Sequence, residues 1–340
     1  MALLNKREEL LAAWRALTPT REKAGWCTIP IFDGRPLIHA GRYFPENEEA
    51  LLVGFQGVSL SRIHLLPQSQ GFHVLKAIPP DSDSDLAWIS LSRQPAGNLD
   101  LFSFMAEDLI LTLINHSKTK DEVLFDLFIN RIRAWQDFMQ RGDSIVLSRE
   151  AEAGLFGELE ILGSMIKAGL PSSEAVEIWE GPMGGVQDFI FYQGAIEVKS
   201  TLSSRGFSAT IDSIDQLDDS IVKPLFLACV RLEITDSGIS LPEKISSLRE
   251  IMEEAPSALN TFNLRLIHAG YLDATRDRYT RKFSIMGKKI VPISGDFPRI
   301  IRSNIPRAIK KVRYEIDIDF DFIKGIELSD VLKKIGVNAG

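Results

Sequence analysis

The spacing of hydrophobic residues changes several times along the chain, and each change predicts a different kind of element. Apolar residues recur every three or four positions between Asn5 and Leu17, which predicts a short amphipathic helix. From Trp26 to about Ser92 the apolar runs are short and are separated by turn residues, as in CTIPIF, LIHAGRYF and ALLVGF. This part of the chain is therefore predicted to be rich in β-strands.

Helical spacing returns after the β-rich part. Two helices are predicted over Leu101–Asn115 and Asp121–Gln140, and their aromatic and methionine side chains are interpreted as core packing. A third helix is predicted over Arg149–Lys167, with Ser148 as its N-cap and Gly169 just beyond its end.

Two glutamates of this third helix differ in position. Glu158 lies within the apolar arc of the helix, whereas Glu160 lies on its polar face and is expected to be solvated. A carboxylate that faces a core is costly unless it has a partner such as a cation or a lysine. Glu158 is therefore a candidate functional residue. The alternative is a carboxylate that reaches water from the edge of the apolar stripe.

The stretch GPMGGVQDFIFYQGAIEVKS, residues 181–200, predicts a β-hairpin, because two runs rich in β-branched and aromatic residues flank Gln193-Gly194. With these two residues as the turn, Asp188 is expected opposite Lys199. Side chains alternate between the two faces of a strand. One face then carries three charged residues, Asp188, Glu197 and Lys199, and the core face carries four apolar residues, Phe189, Phe191, Ile196 and Val198.

The chain beyond residue 200 continues to alternate between strands and helices. The predicted elements are a short helix over Thr210–Val222 that carries Gln216, a buried strand over Pro224–Glu233, helices over Glu243–Glu254 and Pro256–His268, strands within Tyr279–Pro292 and a final strand over Val312–Phe320. The whole pattern predicts an α/β (α+β) fold, with a mixed sheet flanked by helices and a β-rich N-terminal domain. Four segments are expected, namely 1–98 (β-rich domain), 99–146 (helical connector), 147–236 (α/β core) and 237–340 (C-terminal α+β extension).

Composition places the chain among ordinary globular proteins, with 45% hydrophobic and 25% charged residues. No apolar run reaches the roughly 18 residues that a membrane span needs, and the N-terminus does not resemble a signal peptide. Cys27 and Cys229 are too few for a disulfide framework or a multi-cysteine zinc site, which favours a reducing, cytoplasmic setting.

Charge is distributed unevenly along the chain. The net charge is −7, yet the segment from Arg276 to Arg313 contains twelve basic and two acidic residues. A local basic surface can bind phosphate even on an acidic protein; the alternative is a solvated surface with no ligand. The candidate residues for binding phosphate, and hence the backbone of a nucleic acid, are Arg281, Lys282, Lys288, Lys289, Arg302, Arg307, Lys310 and Lys311.

The charged face of the hairpin suits a hard divalent cation. Mg²⁺ takes oxygen ligands, usually one or two protein carboxylates together with water and substrate phosphate. Asp188 and Glu197 supply two carboxylates, the carbonyl of Val198 is a candidate third ligand, and Glu158 can support the ion. Lys199 can orient or deprotonate a water molecule, or offset charge on a phosphate. On its own, however, Glu-X-Lys is also a common pattern on a solvated strand.

These residues resemble the motif of the PD-(D/E)XK nuclease superfamily over about residues 148–235. Asp188 matches the first acid, and Glu197-Val198-Lys199 matches (D/E)XK. Glu158, in GLFGELEIL, matches the acid that many members carry on the first helix. Gln216, in SIDQL, resembles a glutamine that some members place on the helix after the sheet. Gln187 stands where the motif has proline.

The resemblance implies a restriction-endonuclease-like fold and a Mg²⁺-dependent DNA endonuclease in which Mn²⁺ substitutes. Glu158, Asp188, Glu197, Lys199 and Gln216 would be its catalytic residues. The longer arrangement resembles PD-(D/E)XK-motif proteins of bacterial restriction or phage-defence loci, which are encoded beside methyltransferases and ATPases. The implied partners are double-stranded DNA, such proteins and, since restriction-type enzymes often dimerise, a second copy of the chain. The alternative is a catalytically silent, nuclease-like subunit that binds DNA or serves as a scaffold.

Overall fold

The chain forms two compact units, Met1–Asp143 and Ser144–Gly340. The computed structural model describes residues 6–18, 24–58, 66–80, 85–140, 145–319 and 323–337. Both units combine helices with a sheet, and the N-terminal one is rich in strands, so the predicted fold class is confirmed. No helix within these ranges is both long and apolar enough to cross a membrane.

The N-terminal unit contains three helices and five strands within its described residues. They are α1 (Lys6–Ala16), β1 (Gly25–Phe32), β2 (Leu37–Phe44), β3 (Glu48–Gln56), β4 (Phe72–Lys76), β5 (Leu86–Arg93), α2 (Leu99–Asn115) and α3 (Asp121–Gln140). The strands form one antiparallel sheet in the order β1-β2-β3-β5-β4. Phe55 of β3 packs against Phe125 and Phe128 of α3, so the predicted apolar stripe of this helix is core packing.

A buried carboxylate in this sheet is paired with two cations. Glu49 of β3 is 6% exposed. Its Oε1 accepts a hydrogen bond from Arg42 at 2.8 Å, and its Oε2 accepts one from Arg93 at 2.7 Å. Arg42 also donates to the carbonyl of Trp14 in α1, so the cluster ties this helix to the sheet.

The C-terminal unit carries the longer pattern of alternating helices and strands. Its elements are α4 (Arg149–Lys167), α5 (Ser172–Glu177), β6 (Phe189–Phe191), β7 (Gly194–Thr201), β8 (Ser208–Ile211), β9 (Leu225–Ser240), α6 (Leu241–Ile251), α7 (Pro256–His268), β10 (Lys282–Ile293), β11 (Tyr314–Asp317) and α8 (Leu328–Lys334). Four strands form a mixed sheet in the order β10-β9-β7-β6, in which only β7 and β9 run parallel. Strands β8 and β11 pair separately.

Both faces of the mixed sheet are covered. Ile196 and Val198 of β7 pack in one core with the apolar residues of α4, whose N-cap is Ser148 as predicted. Ala195 of β7 packs on the other face with residues of β8 and β11. A strand that is buried on both faces is normally apolar throughout. A charged residue in the middle of β7 is therefore an exception that needs a partner.

The hairpin forms with a register different from the predicted one. Phe189 pairs with Ile196 and Phe191 pairs with Gly194, so Tyr192 and Gln193 are the turn residues. Gly194 instead follows the turn with a φ of +116°, a conformation that glycine adopts readily. The predicted pairing of Asp188 with Lys199 is therefore wrong. Because the shift is by two residues, the predicted division between the charged face and the core face is unchanged.

The predicted helix over Thr210–Val222 is also wrong. The strand β8 extends to Ile211, and turns follow it. Short polar side chains in this stretch bond to the nearby backbone: Ser213 Oγ accepts from the N–H of Asp215, and Asp218 Oδ1 accepts from that of Ser220. Such local bonds compete with helical hydrogen bonding and favour turns.

The expected solvation of Glu160 is wrong as well. Lys244 of α6 and Lys288 of β10 place their Nζ atoms 2.5 Å and 2.7 Å from its carboxylate, and only 13% of its side chain is exposed. Helical periodicity identifies the face of α4 that is polar, but that face contacts other elements of the unit. A polar face can therefore be covered by lysines instead of water.

Candidate active site

Glu197 lies in the middle of β7 and is 1% exposed. The Nζ atom of Lys199, two residues further along the strand, lies 2.8 Å from its Oε1 atom. Its Oε2 atom is buried and has no hydrogen-bond partner among the described residues. Burial, followed by the charge of Asp188, raises the pKa of Glu197 well above its ordinary value. An unpartnered buried carboxylate oxygen indicates a position where a proton or a cation is needed.

Asp188 reaches β7 from the residue that precedes β6. Its Oδ2 atom accepts a hydrogen bond from the backbone N–H of Val198 at 2.7 Å. Extending the observed register by one residue places Asp188 beside Glu197. Burial raises the pKa of Asp188 to about 6, although the bond from Val198 and the charge of Lys199 act in the opposite direction. Two neighbouring strands thus place two carboxylates side by side.

Helix α4 brings a third carboxylate to the same place. Oε2 of Glu158 accepts a hydrogen bond from the indole Nε1 of Trp179 at 2.7 Å. A Cβ atom added to Gly181 would lie 2.7 Å from Oδ1 of Asp188 and 3.0 Å from Oε2 of Glu158, so these two oxygens border one small space. Burial and the charge of Asp188 raise the pKa of Glu158 well above its ordinary value.

Lys199 is the cation of this cluster. Burial would lower its pKa, but the adjacent Glu197 and the charges of Asp188 and Asp212 outweigh that effect and leave the pKa raised. Lys199 is therefore protonated in the absence of a bound metal ion. One ammonium group then faces three carboxylates, so the ionised cluster lacks positive charge.

The cluster fits a hard divalent cation. Carboxylate oxygens are the ligands that Mg²⁺ and Mn²⁺ prefer, and the oxygens of Glu158 and Asp188 already converge on the space beside Gly181. Among the described residues, no group of three or more His, Cys, Asp or Glu side chains is arranged so that it could hold a metal ion. Glu158 and Asp188 would therefore supply only part of a coordination shell, which water and substrate would have to complete.

The comparison with known protein families agrees with this geometry. A family model described as "Putative PD-(D/E)XK family member, (DUF4420)" matches residues 10–319, which include most of both units. The chain belongs to this family. Searches of curated proteins and of solved structures found no match. Proteins of the PD-(D/E)XK superfamily are usually nucleases that use divalent metal ions, so the chain is nuclease-like in both family and fold.

Within the PD-(D/E)XK motif, Val198 was expected to contribute a main-chain ligand. Its N–H points toward Asp188 on the β6 side of β7. The N–H and the C=O of one strand residue point to the same neighbour, so the carbonyl of Val198 also faces that side. This orientation is compatible with the predicted ligand role.

Gln216 of this DUF4420 protein lies in a turn instead of on a helix. Its Oε1 atom accepts a hydrogen bond from the backbone N–H of Asp212 at 3.0 Å. Its main-chain oxygen accepts one from Gln187, the neighbour of Asp188, at 3.3 Å. Gln216 is thus connected to the cluster through its backbone. A role for its side chain in positioning Lys199 or substrate stays a prediction.

Three residues near the PD-(D/E)XK cluster were not predicted from sequence. Trp179 and Gly181 border Glu158 and Asp188, and Asp212 acts on Lys199 through its charge. The sequence signal for the first two is an aromatic residue and a glycine shortly before the acidic strand, in EIWEGPMGG. That signal does not reveal the partner on α4, because the contact forms only in the folded unit.

The eight basic residues predicted to bind DNA divide into two groups. Arg281, Lys288 and Lys289 form ion pairs within the C-terminal unit. The remaining five are exposed, namely Lys282, Arg302, Arg307, Lys310 and Lys311. Lys288 is exposed as well, but its charge is paired with Glu160. The group of five is therefore the better candidate for contact with phosphates.

Proposed function

We propose that the chain is a Mg²⁺-dependent endonuclease that hydrolyses phosphodiester bonds of double-stranded DNA, and that Mn²⁺ can replace Mg²⁺. One observation carries this proposal: the buried carboxylate of Glu197 and the half-buried carboxylates of Glu158 and Asp188 meet a single lysine and leave one buried oxygen, Oε2 of Glu197, without a partner among the described residues. A purely structural cluster would be expected to balance its charges.

Each member of the cluster has a role in this proposal. Asp188 and Glu197, with the carbonyl of Val198, would hold the ion, and Glu158 would support it. A divalent cation bound there would stabilise the negative charge that develops on a phosphodiester during hydrolysis. Lys199 is fixed by Glu197 at 2.8 Å and is protonated, so it would offer positive charge to the same phosphate.

The exposed basic residues of the C-terminal unit would contact the DNA backbone. Lys310 and Lys311 are adjacent and exposed, and Arg313 is exposed and pairs with Asp212 at 3.0 Å. Asp212 in turn influences Lys199 by its charge, which links this part of the surface to the cluster. Contacts with phosphates give affinity without choice of sequence.

We further propose that the protein is the cleaving subunit of a restriction or phage-defence system. It would act in the cytoplasm with methyltransferase or ATPase partners, and a second copy of the chain would allow cleavage of both strands. The resemblance to proteins of such systems supports this setting.

Cleavage of a supercoiled plasmid in the presence of Mg²⁺ tests the proposed activity. The unaltered protein should convert the plasmid to nicked or linear DNA, and Lys199→Ala and Asp188→Ala should each abolish the conversion. Matched controls are Lys223→Ala and Asp330→Ala, which remove charges from exposed side chains and should leave cleavage intact. Equal nicking by all variants would refute the proposal. Mg²⁺-independent binding of DNA without cleavage would support a catalytically silent DNA-binding subunit instead.

A further inference from the structure

The turn that precedes β6 contacts two of the three carboxylates. It follows α5 and contains Trp179, which is fully buried and packs against Phe262 of α7 with the ring centroids 5.9 Å apart. The indole N–H of Trp179 donates to Glu158 at 2.7 Å. This indole therefore connects the turn directly to the carboxylate of α4.

The same turn holds Asp188 through the backbone. The N–H groups of Glu180 and Gly181 both donate to the main-chain oxygen of Asp188, at 2.8 Å and 3.0 Å. Trp179 also forms a β-bridge with Phe189, the residue after Asp188. One short segment thus fixes the position of Asp188 relative to Glu158.

Gly181 leaves room between these two carboxylates. A Cβ atom at this position would lie 2.7 Å from Oδ1 of Asp188 and 3.0 Å from Oε2 of Glu158, so a methyl group there would force one or both carboxylates to shift. The φ of Gly181 lies outside the left-handed region, so its backbone conformation does not require glycine. The glycine at position 181 is thus explained by the space that it leaves between the carboxylates of Asp188 and Glu158.

The charge balance around its acceptor distinguishes Trp179 from a merely satisfied core tryptophan: Trp135 also donates to a carboxylate, that of Asp108, but Arg131 pairs with that carboxylate. The buried Trp14 donates to a backbone carbonyl, that of Ala50. Trp179 instead donates to a carboxylate that belongs to a cluster lacking positive charge. A carboxylate oxygen can accept more than one interaction, so Oε2 of Glu158 can hold this bond and still face the space beside Gly181.

We propose that Trp179 is a positioning residue for a divalent cation, because its indole N–H orients Glu158 toward the space that Gly181 leaves open beside Asp188. The inference rests on the proposed cation site of this cluster. Groups that orient metal ligands by hydrogen bonds typically change metal affinity about 10–100-fold when they are removed. Trp179 would be such a group, although it does not touch the ion.

Calorimetric titration of the whole protein with Mn²⁺ alone, without DNA, tests this role. Trp179→Phe removes the N–H donor and keeps an aromatic ring against Phe262, and it should weaken Mn²⁺ binding about tenfold. Trp135→Phe is the matched control. It removes an indole bond of 2.8 Å to the carboxylate of Asp108 in the N-terminal unit and should leave the Mn²⁺ affinity unchanged.

A double variant shows whether Trp179 acts through Glu158. Glu158→Ala, which removes the acceptor of the Trp179 hydrogen bond, should weaken Mn²⁺ binding by itself, and Trp179→Phe should then add no further loss. Additive losses, or wild-type affinity in a folded Trp179→Phe protein, would overturn the proposal. If Trp179→Phe fails to fold, Gly181→Ala provides the test: its methyl group should lower the affinity at least tenfold, whereas Gly154→Ala, which adds a Cβ in open space, should not. An unchanged affinity in Gly181→Ala would likewise count against it.

The outcomes separate this inference from the proposed function. If the unaltered protein binds no Mn²⁺, the cation site and this inference both fail. If it binds Mn²⁺ and cleaves DNA while Trp179→Phe and Gly181→Ala bind Mn²⁺ normally, only the role of the turn fails.

Discussion

Helix α4 carries two glutamates, only two residues apart, whose surroundings differ sharply. Glu160 contacts Lys244 and Lys288, at 2.5 Å and 2.7 Å. Burial alone would raise the pKa of Glu160, but these two lysines outweigh burial and leave the pKa below its ordinary value. Glu158 instead lies near two other carboxylates, and burial raises its pKa well above the ordinary value. The same residue type on one helix is thus stabilised as an anion at one position and destabilised at the other.

The paired arrangement also occurs in the N-terminal unit. Glu49 is buried there between Arg42 and Arg93, each within 2.8 Å. The chain therefore supplies two cations to a buried carboxylate in two separate places. The cluster of Glu158, Asp188 and Glu197 departs from this arrangement, and the departure is consistent with the proposed cation site.

The largest effect is expected for Glu160→Gln. This change leaves Lys244 and Lys288 facing a neutral amide and should lower the free energy of unfolding by about 3 kcal/mol, the low end of the range for a broken buried ion pair. Hydrogen exchange of the backbone amides of α4 and β7 would report the loss. Asp330→Asn is the control, since it removes an exposed pair with Lys333 and should have little effect. A loss no larger than that of the control would mean that the two glutamates do not differ in the way described.

The next largest effect is a dependence of stability on pH in the cation-free protein. The folded-state pKa of Asp188 is about 6, above its ordinary value of 3.8, so the folded protein binds this proton more tightly than the unfolded chain does. The resulting stabilisation is present below pH 4 and is lost as the pH rises through about 6. It should be at most about 3 kcal/mol, since the shift is about two pKa units and each unit corresponds to about 1.4 kcal/mol.

Urea unfolding with a chelator between pH 4 and pH 8 measures this dependence. Other carboxylates titrate in the same range, so the informative quantity is the difference between the unaltered protein and Asp188→Asn, which cannot lose that proton. The free energy of unfolding of the unaltered protein should fall relative to that of Asp188→Asn as the pH rises. Mn²⁺ at pH 8 should restore stability to the unaltered protein, by about 2.7 kcal/mol at a hundred times its dissociation constant. If the unaltered protein instead becomes more stable than Asp188→Asn as the pH rises, Asp188 is stabilised as an anion.

A smaller effect of opposite sign to that of Glu160→Gln is expected for Glu158→Gln. Removing one charge from a cluster that lacks positive charge should raise the free energy of unfolding of the cation-free protein at pH 8, by on the order of 1 kcal/mol. The amide oxygen of the glutamine can still accept the hydrogen bond from Trp179. The same variant should lose most of the stabilisation by Mn²⁺. If Glu158→Gln and Glu160→Gln both destabilise the protein, the comparison between the two positions fails.

The difference between these two glutamates also shows how far sequence patterns reach. Helical spacing correctly places Glu158 toward the apolar face of α4, because that pattern depends on local geometry alone. The same spacing wrongly leaves Glu160 in solvent, because it contains no information about Lys244 and Lys288, which approach from α6 and β10. Tertiary contact, and not propensity, decided the environment of this side chain.

The hairpin teaches a related lesson about local patterns. Alternation predicts that Asp188, Glu197 and Lys199 share a face, and that grouping depends only on whether a register shift is even or odd. The pairing itself depends on which two residues form the turn. The sequence predicts Gly194 as the second turn residue, whereas it is the first residue after the turn. The indole of Trp179 was beyond prediction for a third reason, since its bond to Glu158 joins residues 21 positions apart.

The smallest effect concerns the basic residues. Like the two glutamates, they differ in whether their charge is paired within the protein. Lys310 and Lys311 are exposed, whereas Lys288 is paired with Glu160. Changing Lys310 and Lys311 together to alanine should weaken DNA binding several-fold and reduce the slope of log affinity against log salt by about 2, because each phosphate contact contributes about 0.9. Fluorescence anisotropy with a duplex in chelator measures the slope without cleavage. Lys288→Ala should leave the slope unchanged, because the charge of Lys288 is paired with Glu160. It should instead increase hydrogen exchange in α4. An equal change of slope in both variants would place Lys288 on the DNA-binding surface.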